Sequence, residues 1–243
     1  MSSLRYLDPV KLETFDERAF RATRPYAWIN PEGFIYDDAF AMLHETLPDP
    51  SMFDAEFTED RPHGRTPHNR LALKYSSELN IAPEWHEFVE ELRGIEYRRF
   101  LHRAYGRSML ALTFHWHYTP KSCSVSPHCD ALRKLGSHIF YFNTEEDWQE
   151  SWGGQTVVLD DGGRFDRKSA HEFEEFEEVG RSRILGNRSF LFARNESSWH
   201  GVHEIDCPEG AYRKVFIAVV EDKKRSLLHS VLDPFKGRKR VRY

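Results

Sequence analysis

At 243 residues, the chain has the length of one domain with a substantial hydrophobic core. Its 40% hydrophobic and 14% aromatic content exclude a disordered protein, and no apolar run approaches the roughly 18 residues of a membrane span. The net charge of −5 hides a basic C-terminus, GRKRVRY, which we interpret as a solvated tail rather than a nucleic-acid site.

The first hundred residues predict helices mixed with a few short strands. Apolar residues at helical spacing from Ala39 onwards predict a helix that Asp37 or Asp38 would cap. Two further helices are predicted to end at Gly94 and Gly106, because glycine commonly follows the last turn of a helix. The predicted strands of this region cover 25–29, 52–57 and 70–75, and the predicted helices cover 37–47, 83–93 and about 95–105.

A turn-rich loop, TEDRPHGRTPHN, follows the second predicted strand. Arg61, His63, Arg65 and His68 make this loop cationic, and Arg70 continues the series at the start of the next strand. The simplest interpretation is a solvated connection. The alternative is a lid over a binding site, which would place Arg61 and Arg65 in a substrate pocket suited to an acidic molecule.

From residue 108 the sequence changes to short apolar strands separated by turns, a texture typical of an antiparallel sandwich or barrel. The acidic stretch RFDRKSAHEFEEFEEVG is predicted to be an irregular surface segment, and SLLHSVLDPF a short helix. Together these patterns predict a β-rich α+β fold. We expect helical support over about 1–107, a β-core over about 108–220, and a C-terminal helix and basic tail over 221–243. The predicted core strands are MLALTFHWHY, SHIFYFN, QTVVLD, RSFLFAR and YRKVFIAVV.

The candidate metal ligands lie in two segments, YTPKSCSVSPHCD at 118–130 and SWHGV at 198–202. His128 and Asp130 flank one cysteine, so on an extended chain their side chains point to the same side. His200 from a distant strand would complete a set of two imidazoles and one carboxylate. Such a set occupies one face of an octahedral ferrous ion and leaves three positions open. We predict that these three residues are the metal ligands and the catalytic centre.

The second half of the sequence resembles the Fe(II)/2-oxoglutarate-dependent dioxygenases, and most closely their prolyl-4-hydroxylase-like branch. Four matches occur in the family's order over about 108–220. They are a tyrosine–proline segment leading into the H-x-D pair, the strand Tyr141-Phe142-Asn143, the strand start Trp152-Gly153-Gly154, and His200-Gly201-Val202 followed by a basic residue. The resemblance implies a double-stranded β-helix core, of the jelly-roll or cupin-like type, in a single dioxygenase domain over 1–243.

In this family a buried cation holds the distal carboxylate of 2-oxoglutarate, and a guanidinium can do so through two parallel hydrogen bonds. The resemblance assigns that role to Arg213, which would share a strand face with Val215 and Ile217. Lys214, on the opposite face, remains the alternative. The reason is that Arg213 lies thirteen positions after His200, a longer spacing than is usual in the family.

The resemblance also implies that Tyr118 and Tyr141 donate hydrogen bonds to 2-oxoglutarate. If Tyr118 faces the site, strand alternation places Phe114 and Trp116 on the same face, where they would line the substrate pocket. We assign structural roles to the other nearby histidines, which are His115, His117, His138 and His203.

The activity implied by the resemblance is hydroxylation of an unactivated C–H bond of a small molecule, such as an amino acid or a natural-product intermediate. Fe(II), 2-oxoglutarate and dioxygen would be required, ascorbate would stimulate, and succinate and CO2 would be released. Halogenating relatives lack the ligand carboxylate, so Asp130 favours hydroxylation, with desaturation or cyclisation as alternatives. The lack of zinc-like cysteine spacing and of a secretion signal indicates a reduced, cytoplasmic protein.

Three other functions compete with this one. A peptidyl or protein prolyl-type hydroxylase would use the same site on a larger substrate. A nucleic-acid demethylase is disfavoured, because the segment RNESSWHGVHEIDC around the last histidine carries Arg194 alone and not an arginine-rich signature. A catalytically silent metal-binding scaffold is disfavoured by the intact ligand set. The sequence leaves the substrate and the oligomeric state open.

Overall fold

The computed structural model describes residues 4–57 and 69–223, which fold into two antiparallel sheets with helices on one side. The helices in these ranges are α1 (Pro9–Glu13), α2 (Glu17–Ala22), α3 (Asp37–Glu45), α4 (Pro83–Arg93) and α5 (Ile95–Tyr105). The strands are β1 (Trp28–Ile29), β2 (Asp54–Glu56), β3 (Arg70–Lys74), β4 (Leu110–Thr119), β5 (Val125–His128), β6 (Lys134–Tyr141), β7 (Val157–Asp160), β8 (Glu177–Arg181), β9 (Ser189–Ala193), β10 (His200–Val202) and β11 (Arg213–Asp222). Within the described residues, no helix has the length and apolar character needed to cross a membrane.

The strands form a major and a minor sheet. The major sheet has seven strands in the order β1-β9-β6-β11-β4-β3-β2, and the minor sheet has four in the order β5-β10-β7-β8. Strands that are distant in sequence therefore lie side by side in both sheets, as they do in a jelly roll. This topology confirms the predicted β-rich α+β fold with a double-stranded β-helix core.

The helices cover the outer face of the major sheet. Trp85 of α4 lies at the centre of this contact, with its ring centroid 5.1 Å from that of Trp116, 5.0 Å from that of Phe142 and 5.2 Å from that of Phe216. All four side chains are fully buried, and burying an aromatic side chain of this size stabilises the fold by about 1.5–3 kcal/mol. The helical layer thus holds the major sheet as a rigid support for the opposite face.

A second core fills the space between the two sheets. It joins Ile139 of β6, Phe190 of β9 and Val215 of β11 to Val158 and Val202 of the minor sheet. Among the described residues, no side chain of β3 or β4 belongs to this core. The minor sheet therefore packs on one half of the inner surface, and the inner faces of β3 and β4 lie beside it.

The local predictions hold best where a helix has clear end signals. Helix α4 covers the predicted residues, and Gly106 closes α5 in the left-handed conformation with φ of 64°. The predicted cap of α3 is wrong, because Tyr36 is the N-cap residue and its side chain makes no capping hydrogen bond. Strand β8 lies in the acidic stretch that was predicted to be irregular, and its side chains are mostly exposed. The predicted C-terminal helix lies outside the described residues.

Candidate metal centre

Two strands of the minor sheet bring the three predicted ligands together. His128 ends β5, His200 begins β10, and the two residues face each other in the antiparallel register. Their ring centroids are 4.3 Å apart. One ligand atom from each of His128, Asp130 and His200 lies within 4.8 Å of the other two, a separation that a single metal ion can bridge.

Backbone hydrogen bonds fix how both imidazoles are oriented. Nδ1 of His128 lies 2.9 Å from the carbonyl oxygen of Ser126, and Nδ1 of His200 lies 2.9 Å from the carbonyl oxygen of Ser198. A carbonyl oxygen only accepts, so in each neutral ring the proton sits on Nδ1 and the lone pair sits on Nε2. Both rings are therefore held in the tautomer that a metal ligand requires.

Asp130 is buried beside Lys134, whose Nζ donates to Oδ1 at 2.6 Å. Burial alone would raise the pKa of Asp130, but Lys134 and the two imidazoles outweigh it and lower the pKa to about 2. Burial also lowers the pKa of His200, although Asp130 acts in the opposite direction. At neutral pH the site therefore holds an ionised carboxylate and a neutral His200 ring, which are the protonation states that bind a metal.

The low pKa of Asp130 makes the stability of the metal-free protein depend on pH. The carboxyl pKa is about 2 in the folded protein and 3.8 as the ordinary value, a difference equivalent to about 2 kcal/mol. This stabilisation is present above pH 3.8 and is lost as the pH falls through 2. We expect Asp130→Asn to remove it, so the difference in unfolding free energy between the native chain and the variant should shrink between pH 5 and pH 2. Urea unfolding at each pH measures this difference, and a constant difference would contradict it.

Gly201 lets β5 and β10 approach each other directly beside His200. A Cβ at this position would lie 2.6 Å from the carbonyl oxygen of Val125 on β5 and 2.9 Å from the ring of Phe173. We expect Gly201→Ala to push β10 away from β5, to cost about 1–3 kcal/mol of stability, and to weaken Zn(II) binding by separating the two histidines. Denaturant unfolding and Zn(II) titration check these effects. Unchanged metal affinity in a folded variant would show that the strand contact does not set the ligand geometry.

Arg213 is a buried cation placed where it could bind an anionic ligand. It lines the same cavity as the three ligands, a space of ≈ 120 Å³. Its Nε donates to the carbonyl oxygen of Gly154, an Nη donates to Oγ1 of Thr156 at 3.2 Å, and its guanidinium lies 5.4 Å from the centre of the Tyr141 ring. Burial lowers the pKa of Arg213 from its ordinary value. In the described part of the chain, no carboxylate forms an ion pair with this guanidinium.

The structure also places the two residues considered beside Arg213. Lys214 lies on the opposite strand face and pairs with Asp147, so Arg213 alone of the two reaches the cavity. The hydroxyl of Tyr141 is 2.8 Å from Oγ1 of Thr156 and donates to Oγ of Ser182 at 2.8 Å. Tyr141 therefore supports the wall behind Arg213 through the protein's own hydrogen bonds, and its bond to 2-oxoglutarate stays a prediction.

The predicted substrate-facing side of β4 is wrong. Tyr118 points towards the helices, where its hydroxyl donates to the carbonyl oxygen of Pro48 at 3.0 Å and its ring stacks on Phe53 with centroids 4.2 Å apart. Phe114 and Trp116 share this face and belong to the helix-side core. The physical reason is that the helical layer needs a continuous aromatic surface, and β4 supplies its bulky residues to that surface.

Strand alternation therefore turns His115 and His117 towards the inner face, and His117 lines the cavity with the three candidate metal ligands. Lys134 and Arg70 also line it. The sequence analysis gave His117 a structural role, counted Arg70 only with the cationic loop, and gave Lys134 no role. The predicted pocket residues Arg61 and Arg65 lie outside the described part of the chain.

No protein-family model matches the sequence, and no curated protein is significantly similar to it. Solved structures match its fold. A prolyl-4-hydroxylase from Pseudomonas putida superimposes with a TM-score of 0.57 at 13% identity, over 88% of this chain and 100% of that one. A prolyl hydroxylase from Trichoplax adhaerens, in complex with a hypoxia-inducible-factor oxygen degradation domain peptide fragment, superimposes with a TM-score of 0.58 at 13% identity, over 87% and 93%.

A third similar structure is the non-heme alpha-ketoglutarate-dependent epimerase SnoN from nogalamycin biosynthesis. It superimposes with a TM-score of 0.56 at 17% identity, over 97% of this chain and 94% of that one. The three matches span nearly the whole length of each solved chain. They confirm the resemblance to the prolyl-4-hydroxylase-like dioxygenases at the level of the fold.

Proposed function

We propose that this protein is an Fe(II)- and 2-oxoglutarate-dependent dioxygenase that hydroxylates an unactivated C–H bond of a small molecule. One observation carries the proposal. Two imidazoles in the ligand tautomer, an ionised carboxylate and a buried guanidinium without a carboxylate partner among the described residues converge on one cavity. A site with this donor set suits a ferrous ion and an anionic co-substrate together.

The metal would be held by Nε2 of both His128 and His200 and by a carboxylate oxygen of Asp130. Fe(II) bound there would supply, with 2-oxoglutarate and dioxygen, the oxidising chemistry needed to break the C–H bond. The protein's own part is to orient the ligands. Lys134 engages Oδ1 of Asp130, which leaves Oδ2 as the oxygen available to the metal and favours binding through a single oxygen. One-oxygen binding keeps more positions open for the co-substrate and dioxygen.

Arg213 would bind the distal carboxylate of 2-oxoglutarate, with the hydroxyl of Thr156 beside it. A buried cation without a counter-ion costs stability, because its desolvation is not offset by a nearby anion. An anionic co-substrate would provide that missing partner. This reasoning argues against a silent scaffold, since such a protein gains nothing from an unpaired buried charge.

The proposed substrate is a small molecule, and a peptidyl or protein side chain is the alternative that substrate screening distinguishes. The bound peptide in the Trichoplax structure belongs to that protein, and no feature of the described residues favours a peptide here. Three free, buried cysteines support the proposed cytoplasmic location. We also propose that ascorbate stimulates the activity.

Succinate formation tests the proposed activity. We expect the native chain with Fe(II), dioxygen and 2-oxoglutarate to release succinate slowly without a substrate and faster with a matching small molecule. His128→Ala should release none above the level of free iron. Bound iron with no release of succinate by the native chain would contradict the proposal.

A further inference from the structure

The inner face of β3 and β4 carries a group of polar side chains that the proposed reaction does not use. The strand register pairs Lys74 with His115 and places Arg70 and His117 on the same face, opposite the aromatic residues that contact the helices. We call these four residues the β3–β4 platform. His117 and Arg70 line the cavity of the metal ligands, so a molecule resting on the platform lies beside the reacting centre.

The hydrogen-bonding capacity of the platform is not used by the described part of the protein. Neither His115 nor His117 makes a hydrogen bond to a described residue, and the two rings are neighbours with centroids 6.1 Å apart. Lys74 is exposed and likewise forms no ion pair with a described residue. Side chains of this kind, placed beside a catalytic cavity, are available to a ligand.

The charges around the two histidines are positive. Burial lowers the pKa of His115 to about 4, and Lys74, Lys134 and Arg70 act in the same direction. Burial likewise holds the pKa of His117 well below its ordinary value, again with cations as its charged neighbours. Both rings are therefore neutral at pH 7 and can donate hydrogen bonds, while the lysine and arginine side chains provide the positive potential.

Acidic groups near the platform only partly offset this potential. Glu56 of β2 engages Nε and Nη2 of Arg70 at 2.9 and 2.8 Å, which leaves Nη1 for another acceptor. The Glu56 side chain is 50% exposed, and ion pairs this exposed hold together weakly. Asp130 pairs with Lys134 and belongs to the metal centre. An incoming anion would thus meet Lys74, which pairs with no described acidic residue, and Arg70, whose guanidinium is only partly engaged by Glu56.

We propose that the β3–β4 platform is a subsite for a carboxylate group, and that the substrate of this protein is a small organic acid. Arg70 and Lys74 supply the charge, and the neutral rings of His115 and His117 donate hydrogen bonds to the carboxylate oxygens. The assignment of the bound acid as the substrate rests on the proposed function. The anion subsite itself rests on the placement of the four side chains.

Acetate titration of the Zn(II)- and 2-oxoglutarate-loaded protein tests the subsite without turnover. The imidazole signals of His115 and His117 in the 15N-labelled chain report binding, and acetamide is the neutral probe of matched shape. We expect acetate to shift both signals saturably and acetamide to leave them in place. Lys74→Gln and Arg70→Gln should each weaken acetate binding roughly fivefold, the factor for one solvent-screened charge.

Two further variants provide the controls. Arg18→Gln removes an exposed charge on α2 and should not change acetate binding. Glu56→Gln removes the competing acid beside Arg70 and should strengthen acetate binding. Equal shifts with acetamide, or acetate binding that is unchanged in Lys74→Gln and Arg70→Gln, would overturn the subsite. If 2-oxoglutarate fails to bind while acetate binding still depends on Lys74 and Arg70, the proposed function fails and the subsite stands.

Discussion

Replacing His200 by alanine is expected to weaken Fe(II) binding by more than about 100-fold, beyond the 10–100-fold cost typical of losing a residue that only supports a ligand. The ring of His200 is buried, and its Nδ1 is held by the carbonyl oxygen of Ser198, so its Nε2 is aimed at a fixed point. The remaining imidazole and carboxylate would hold the ion from one side only. Anaerobic Fe(II) titration, or Zn(II) titration in air, measures the loss.

His203→Ala is the matched control for this prediction. It lies three positions after His200, its side chain is 45% exposed, and it pairs with Glu178 instead of facing the site. We expect this variant to bind metal like the native chain. A His200→Ala variant that keeps its metal affinity would show that the metal is held elsewhere.

Replacing Arg213 by methionine is expected to raise the dissociation constant of 2-oxoglutarate by about 30- to 4000-fold. This range corresponds to the roughly 2–5 kcal/mol lost when one partner of a buried, hydrogen-bonded charge pair is removed. Since no carboxylate of the described residues pairs with Arg213, the substitution leaves no buried anion behind, and we expect the variant to fold. Metal binding should be retained, because Arg213 is not a ligand. Calorimetric titration of the Zn(II) protein with 2-oxoglutarate measures the change.

Lys214→Met tests whether 2-oxoglutarate binding depends on the position of Arg213 or only on a positive charge in this part of β11. It removes the neighbouring cation, which pairs with Asp147 on the other face of β11. We expect it to leave the affinity for 2-oxoglutarate within about threefold of the native value, the scale of a surface ion pair. Equal losses in both variants would contradict the assigned role of Arg213.

The cluster of candidate metal ligands could be predicted from sequence because part of its geometry is local. His128 and Asp130 flank a single residue on an extended segment, and that spacing alone places both side chains on one side. His200 followed from the order of the family's motifs. The helices α4 and α5 were predictable for a similar reason, since each combines an apolar stripe with glycine at its end.

The face of β4 could not be predicted in this way, because both of its faces are at least partly buried. Phe114, Trp116 and Tyr118 alternate with His115 and His117, and sequence alternation does not say which set faces the ligand site. The choice depends on the helical layer, which packs on the aromatic set through Trp85. Strand β8 escaped detection for the opposite reason, because its exposed side chains lack an apolar alternation.

The pairing of Lys134 with Asp130 depends on a turn that was not predicted from the sequence. The backbone N–H of Lys134 donates to the carbonyl oxygen of Ala131 at 3.0 Å, and this turn brings the lysine back to the carboxylate four residues earlier. The surroundings of Arg213 depend instead on long-range contacts, because Arg213 lies beside Thr156 only where β11 and β7 belong to facing sheets.

The measurement that tests the central claim most directly is an anaerobic titration of the metal-free protein with Fe(II) and 2-oxoglutarate. The weak visible charge-transfer band of the iron–2-oxoglutarate chelate is the signal. The proposed function predicts that the band appears in the native chain, is absent in His128→Ala, and needs far more 2-oxoglutarate in Arg213→Met. A native chain that binds iron but shows no band at saturating 2-oxoglutarate would contradict the claim.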